Sequence, residues 1–369
     1  NEMWTRIMKR LLKMLKVALK ITCFGSMLVT SQLVIAQDST ELRKVIHVNN
    51  ISSFYHAINQ ANKSGMTDIA LAPGTYKISK TVVISAPNIR LIGNPIDPSS
   101  THIIGHGMRN RSAVENILNI NAKHFTLDGI KLSDAGNHLI QISGERDADF
   151  PVLKNCILQD SFEQLVKVSS GGNSKRASDY GIVDNCEFKY TNGIGPNYYI
   201  GGLDAHGARG WMVANSIFRN IASPDNRVAE FAIHFWNGAK SNTVENNIIV
   251  NCDRGIGFGL QGRPAEGGAI INNLIVHQVK EHPSSDVGII LEQTPNTQVL
   301  DNRVYLAHSY PNAIEYRFKE TSNVVIMDNI TNKPIQKRSN AQASLFNNVV
   351  KKNLSDIVTA DELLIINQQ

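Results

Sequence analysis

The chain has 369 residues, 42% of them hydrophobic and 19% charged, with a formal net charge of +5. Six of the 37 basic residues and one of the 32 acids lie in the first 36 positions, so the remainder carries 31 of each and a nucleic-acid partner is not supported. Of four cysteines, Cys23 falls in that first segment, and Cys156, Cys186 and Cys252 form no CxxC, which argues against a disulfide framework and against a zinc site.

Residues 1–36 read as a signal peptide. Arg6, Lys9, Arg10, Lys13, Lys16 and Lys20 precede an uncharged run from Ile21 that closes on Val34-Ile35-Ala36. The run is 16 residues long, short of the roughly 20 that span a bilayer, so cleavage after Ala36 is expected rather than anchoring, and no stable membrane insertion after it. The expected location is secreted or periplasmic, and the expected oligomeric state is a monomer.

After a polar linker over 37–43, Val45-Ile46-His47-Val48 reads as a strand. Phe54, Ala57, Ile58 and Ala61 then fall at helical spacing between Ser52 and Asn62, and a short amphipathic helix there would cover the open end of a stacked sheet. Short strands follow at Ile69–Leu71, Thr81–Ile84 and Ile89–Ile92, punctuated by Pro73-Gly74 and similar turns.

From Asp128 to Ile330 one phrase recurs every 26 to 31 residues: an Asn or Asp, a few β-formers, then a polar turn. It begins at Asp128, Asn155, Asn185, Asn215, Asn246, Asn272, Asn302 and Asp328. His206–Phe218 aligns without a gap on Asn237–Ile249 at an offset of 31. Each period also holds a second short strand, at Leu139–Ile142, Leu165–Val168, Ile233–Trp236, Gly255–Phe258, Gly288–Leu291 and Ile314–Arg317. Strands this short, with no helical pattern between them, stack as parallel sheets about one axis, so the fold expected over 44–335 is an all-β parallel solenoid. The recurring Asn is read as scaffold, a ladder of amides at turns that bend the backbone inward. Cys156 and Cys186 share its phase and read as small buried hydrophobes. Residues 336–369 lose the period and are expected to form a C-terminal cap and tail.

Asp68-Ile-Ala-Leu-Ala-Pro-Gly-Thr-Tyr76, followed by the Asn-punctuated coils, resembles the secreted proteins of the pectate-lyase-like superfamily. The resemblance covers roughly 44–335 and implies a right-handed, single-stranded parallel β-helix with a short N-terminal capping helix. It leaves activity open, because that superfamily includes polysaccharide lyases, hydrolases, uronan epimerases, tailspikes and adhesins.

Strand parity gives the candidate site. If Ile233, Ile289 and Ile314 point inward, then His234, Trp236, Ile290, Glu292, Glu315 and Arg317 point outward, together with Lys167. Gly257 and Gly259 would leave a hollow beside His234 and Trp236. Asp204 and His206 join this face if Leu203 matches Ile233, whereas the offset of 31 sets Asp204 opposite Phe235; one inserted residue would reconcile the two. Arg209 and Trp211 lie in the same segment, and Asp253-Arg254 offers an ion pair or a substrate clamp. Trp236 and Trp211 are either sugar platforms or packing beneath loops.

Such a face suits an acidic polysaccharide. β-Elimination on a uronic acid needs a cation for the C6 carboxylate, a base for the C5 proton and a donor for the departing oxygen. His234 is read as base, His206 as donor or in exchange with it, Arg317 and Arg254 as carboxylate clamps, Glu315 as a further catalytic candidate, and Lys167, Asp204, Arg209, Trp236, Asp253 and Glu292 as substrate contacts. No metal ligand set stands out: a Ca2+ ion is compatible with the dispersed acids but not indicated. Hydrolysis would need two carboxyls across the bond, for which Glu292 and Glu315 are the pair, but the Asp-Asp, Gly-His and Arg-x-Lys signatures of polygalacturonases are missing. An epimerase on the same fold and a glycan-binding solenoid without catalysis are the remaining alternatives.

Overall fold

The computed structural model describes residues 43–368, apart from 173–175, 192, 194, 282 and 283. The leader expected over 1–36, and the linker up to residue 42, lie outside the described residues. From Thr67 to Arg338 each turn of chain adds one strand to each of three sheets in the same order. Among the described residues the first sheet has 12 strands, from Lys44–Val48 to Ala343–Phe346; the second has 11, from Gly74–Lys77 to Val349–Val350; the third has 10, from Val82–Ile84 to Ile335–Arg338. Neighbouring strands pair in parallel throughout, giving a right-handed parallel β-helix of about 10 turns.

Helix α1 (Ile51–Ser64) lies at the N-terminal end. Asn50 accepts from the Ser53 amide at 2.9 Å while Ser53 Oγ accepts from the Asn50 amide at 3.2 Å, a reciprocal box that fixes the helix start. Phe54, Ala57, Ile58 and Ala61 are its buried face, as their spacing predicts.

The inward positions of successive coils stack into columns. On the third sheet Ile142, Val168, Ala205, Phe235, Phe258, Leu291 and Tyr316 are in register and buried, each apolar side chain contributing roughly 1.5–3 kcal/mol by leaving water.

The turn between the first and second sheets carries the Asn phrase, and it holds two ladders rather than one. Asn155, Asn185, Asn215, Asn246 and Asn272 have φ between 50° and 56°, the left-handed region that Asn tolerates best among residues with a Cβ. Their amides link outward: Asn185 Nδ2 donates to Asn155 Oδ1 at 2.8 Å and Asn272 Nδ2 to Asn246 Oδ1 at 2.7 Å. The residue after each points inward and accepts from the backbone amide one coil earlier. Cys186 Sγ accepts from Cys156 N, Ser216 Oγ from Cys186 N, and Asn247, Asn273, Asn302, Asn329 and Asn348 continue the series through Oδ1. Asn302 therefore belongs to this inner ladder, and Asp301 (φ 55°) takes the outer place, so the phrase as read from sequence slips by one residue at that coil. Cys156 and Cys186 are buried free thiols, as expected, and so is Cys252.

Strand pairing continues past residue 335, through Ile335–Arg338, Ala343–Phe346 and Val349–Val350. The chain then turns back along the flank of the second sheet instead of covering the last coil. Ile357, Val358 and Ile366 of this segment, which contains helix α2 (Ala360–Ile366), pack on the outward Val250, Leu274 and Val276. Arg219 donates to the Ile365 carbonyl at 2.8 Å, and Arg303 forms a two-point ion pair with Glu362, holding that carboxyl down at about 2. At the uncovered end Leu345 and Val350, both at core-facing positions, are 42% and 59% exposed.

Candidate functional site

The outward face of the third sheet carries two columns. Asn119, Gln141, Lys167, Asp204, His234, Gly257, Ile290 and Glu315 form one. His206 and Trp236 stand together in the other, with Glu292 and Arg317 further along it. Parity therefore assembles the expected face, and Leu203 pairs with Ile233 so that Asp204 faces outward beside His234. The extra residue lies in the next turn: His206 pairs with Trp236 at an offset of 30, while Arg209 bridges Lys240 at 31.

Asp204 is the centre of this face. Its carboxylate is ion-paired with Lys167, accepts from Trp236 Nε1 at 2.5 Å, and has His206 Nε2 at 3.6 Å and His234 Nδ1 at 3.9 Å. Burial by itself would raise its pKa, but His206, Lys167 and His234 outweigh that and hold it well below the usual carboxylate range. Lys167 Nζ also lies 3.0 Å from His206 Nε2, and Asn237 Nδ2 lies 3.2 Å from the other ring nitrogen. Since an ammonium only donates, Nε2 of a neutral His206 accepts from Lys167.

These residues differ in access. Lys167 and His206 retain 15% and 16% side-chain exposure and line a cavity of about 270 Å³ with Ser169, Ser170, Gly171, Gly172 and Asn237. His234 is 2% exposed. Its Nε2 donates to the Gly259 carbonyl at 3.1 Å, its ring stacks on Trp236 at 4.9 Å, and burial pushes its pKa down to about 4 against the pull of Asp204. Trp236 is also buried, with His234 against its ring, His206 tilted over it at 4.3 Å and the Arg263 guanidinium 5.0 Å from its centroid. Neither residue meets the expectation of an open groove.

The expected hollow at the glycine coil is filled. A Cβ on Gly257 would stand 2.9 Å from the Phe231 ring, which lies over that position and packs with Val287, Ile290 and Tyr310. Gly259, at φ 75°, would drive a Cβ to 1.9 Å from the Glu292 carbonyl, so the turn itself requires glycine there.

The remaining candidates are engaged elsewhere. Glu292 accepts from Arg317 at 2.7 Å and from the Gln261 amide at 2.9 Å. Glu315, fully buried, accepts from Tyr310, Asn312 and Arg338. Two carboxylates neutralised this way do not offer the open acid and base that hydrolysis needs. Arg254 pairs with Asp286 at 3.1 Å. Asp253 is a backbone clasp: one oxygen accepts from Ser223 N and Ala229 N, and burial pushes its carboxyl up to about 7. Arg209 forms a two-point pair with Asp179 on the neighbouring turn, and Trp211 is a core residue whose Nε1 donates to Ser178 O at 2.7 Å. Among the described residues no cluster of His, Cys, Asp and Glu fits a metal ion.

Sequence reasoning missed Asn237, Tyr310 and Asp286. For Asn237 a signal existed, since the gapless alignment set it opposite His206. Tyr310 and Asp286 lie in connections between coils, where the repeat carries no phase.

No family model and no curated protein sequence matches the chain. Solved structures do resemble it. The tailspike protein of Acinetobacter baumannii phage AM24 matches with a TM-score of 0.52 at 9% identity, over 83% of this chain and 52% of the tailspike, so the chain spans about half that protein's length. An alginate lyase from Paenibacillus sp. str. FPU-7 gives 0.42 at 14% identity over 84% of this chain and 100% of the lyase. A mannuronic acid specific family 6 polysaccharide lyase from human gut microbiota gives 0.47 at 13% over 87% and 84%. At such identities the likeness concerns the fold alone, a parallel β-helix.

Proposed function

We propose that the chain is a carbohydrate-active β-helix, exported from the cytoplasm, that cleaves an acidic polysaccharide by β-elimination at the Lys167–Asp204–His206 cluster. One observation carries the reading: a partly exposed ammonium and imidazole 3.0 Å apart, both anchored on a buried carboxylate, at the wall of a cleft. Lys167 draws in the uronate C6 carboxylate, whose charge it partly neutralises, and so acidifies the C5 proton. His206 Nε2 takes that proton. The C5–H electron pair becomes the C4=C5 bond, the C4–O4 bond breaks with its pair on O4, and O4 is protonated from the same cluster. Asp204 acts as a positioning residue, tying Lys167 to one coil and orienting His206 on the next.

His206 replaces His234 as base because it reaches the cleft and His234 does not. Arg254 and Arg317, already paired, bind further along the face rather than at the scissile bond. The test is ultraviolet absorbance of the new conjugated double bond on a panel of uronans. His206→Ala is the informative variant, since it leaves the buried Lys167–Asp204 pair in place; the rate is expected to fall on the order of 10²–10⁴-fold with an unchanged thermal melt. Undiminished activity in that variant would remove the site, and binding without turnover would favour a glycan-binding solenoid.

A further inference from the structure

The stereochemistry of the substrate follows from where the proton-transfer groups stand, given the elimination proposed above. Lys167 and His206 rise from adjacent strands of one sheet on the same face, and their nitrogens are 3.0 Å apart. Among the described residues lining their cavity, the others are Ser169, Ser170, Gly171, Gly172 and Asn237, none of which takes up or releases a proton near neutral pH. Burial raises the pKa of Tyr199, on the connection before the next strand, so its phenol stays protonated near neutral pH, does not accept the C5 proton and is a weaker acid than a free phenol. Base and acid thus stand on one side of the bound sugar.

Uronates divide by this geometry. In the gluco and manno configurations the axial C5 hydrogen and the equatorial C4 oxygen are gauche and lie on the same side of the ring. In galacturonate and guluronate they are trans-diaxial, on opposite faces, so base and acid must flank the ring. Two nitrogens at hydrogen-bonding distance from each other serve the first arrangement and not the second, because each must come within roughly 2.6–3.2 Å of its own proton-transfer partner. We infer that this site is a syn-eliminating centre for uronans of the gluco or manno configuration. His206 Nε2 receives the C5 proton while the neighbouring Lys167 ammonium, or the imidazolium just formed, protonates O4. The products are a chain end with a C4=C5 bond and a free hydroxyl on the departing sugar, and no oxidant, reductant or water is consumed.

The experiment uses the unmodified chain on four polymers, polymannuronate, glucuronan, polyguluronate and polygalacturonate, with initial rates read from ultraviolet absorbance. Polymannuronate or glucuronan is expected to be cleaved on the order of 10²-fold faster than the two trans polymers, the scale of one misplaced acid–base group. Equal or faster cleavage of polyguluronate or polygalacturonate overturns the stereochemical assignment while leaving elimination at this cluster standing. Absence of new absorbance on all four removes the elimination reading and this one with it.

Discussion

Gly257 illustrates how one residue decides access. Its missing side chain does not open a hollow but admits the Phe231 ring, which closes the face over His234 with ring centroids 4.6 Å apart. Gly257→Ala would set a methyl 2.9 Å from that ring and force it aside. The substitution is expected to destabilise the protein by about 1–3 kcal/mol, and Phe231→Leu in the same chain should recover part of the loss; denaturant titration of the single and double variants checks this. At the same scale the surroundings of Asp204 show why parity brings side chains to one face without saying which of them reach solvent. Alternation fixes which side chains leave the core, whereas the enclosure of His234 and the access of His206 depend on the ring of Phe231 at the start of the same strand as His234 and on Arg263 and Asn237 in turns.

The element that organises each coil is the turn after the first sheet. Its outer Asn satisfies a left-handed backbone, and its inner residue supplies an acceptor to the coil before, so the two positions solve different problems. Asn273 is the clearest case: Oδ1 accepts from Asn247 N at 3.0 Å, and Nδ2 donates to the Val244 carbonyl at 2.9 Å. Asn273→Ala leaves both backbone groups buried without these partners and is expected to cost about 1–3 kcal/mol, measurable as a lowered denaturation midpoint at unchanged slope. Asn272→Gly, on the outer ladder, should be milder because glycine accepts φ 50° readily and the lost amide contact is exposed. The period made the repeat legible in sequence. The division into two ladders was not, because Cys156, Cys186 and Ser216 occupy inner places that later coils fill with Asn, and sequence alone does not equate those chemistries.

Across the whole molecule, buried titratable groups pull the pH dependence of stability in opposite directions. His138 and His234 are held near 4 in the fold, from an ordinary 6.5, by burial. Between those values the unfolded chain binds protons that the folded chain excludes, so the two histidines make stability rise with pH and their contribution is lost as pH falls from 6.5 towards 4. Asp253 does the reverse. Raised from 3.8 to about 7 by burial, it binds a proton in the fold that the unfolded chain has released, so its contribution declines as pH rises through about 7. Asp253→Asn removes the opposing contribution, and its melting temperature is expected to climb more steeply from pH 4.5 to 7 than that of the parent. Parallel melts across that range decide it; identical slopes would mean that the Asp253 carboxyl titrates normally.

By itself the sequence determined the architecture, because a solenoid's core is local: each coil repeats the same inward positions, and period plus alternation are enough to phase Ile233, Ile289 and Ile314 against one another. It also brought Lys167, His234, Glu292, Glu315 and Arg317 to one face, whereas Asp204 and His206 join them only through the pairing of Leu203 with Ile233 that the structure shows. Only the tertiary structure decided which of them meet solvent. Connections of unequal length between coils carry Tyr310, Asp286 and Gln261 to that face, where they pair with Glu315, Arg254 and Glu292, and leave the cleft at Lys167 and His206. Such coverage depends on contacts between residues far apart in the chain, and a repeat period holds no information about the segments that interrupt it.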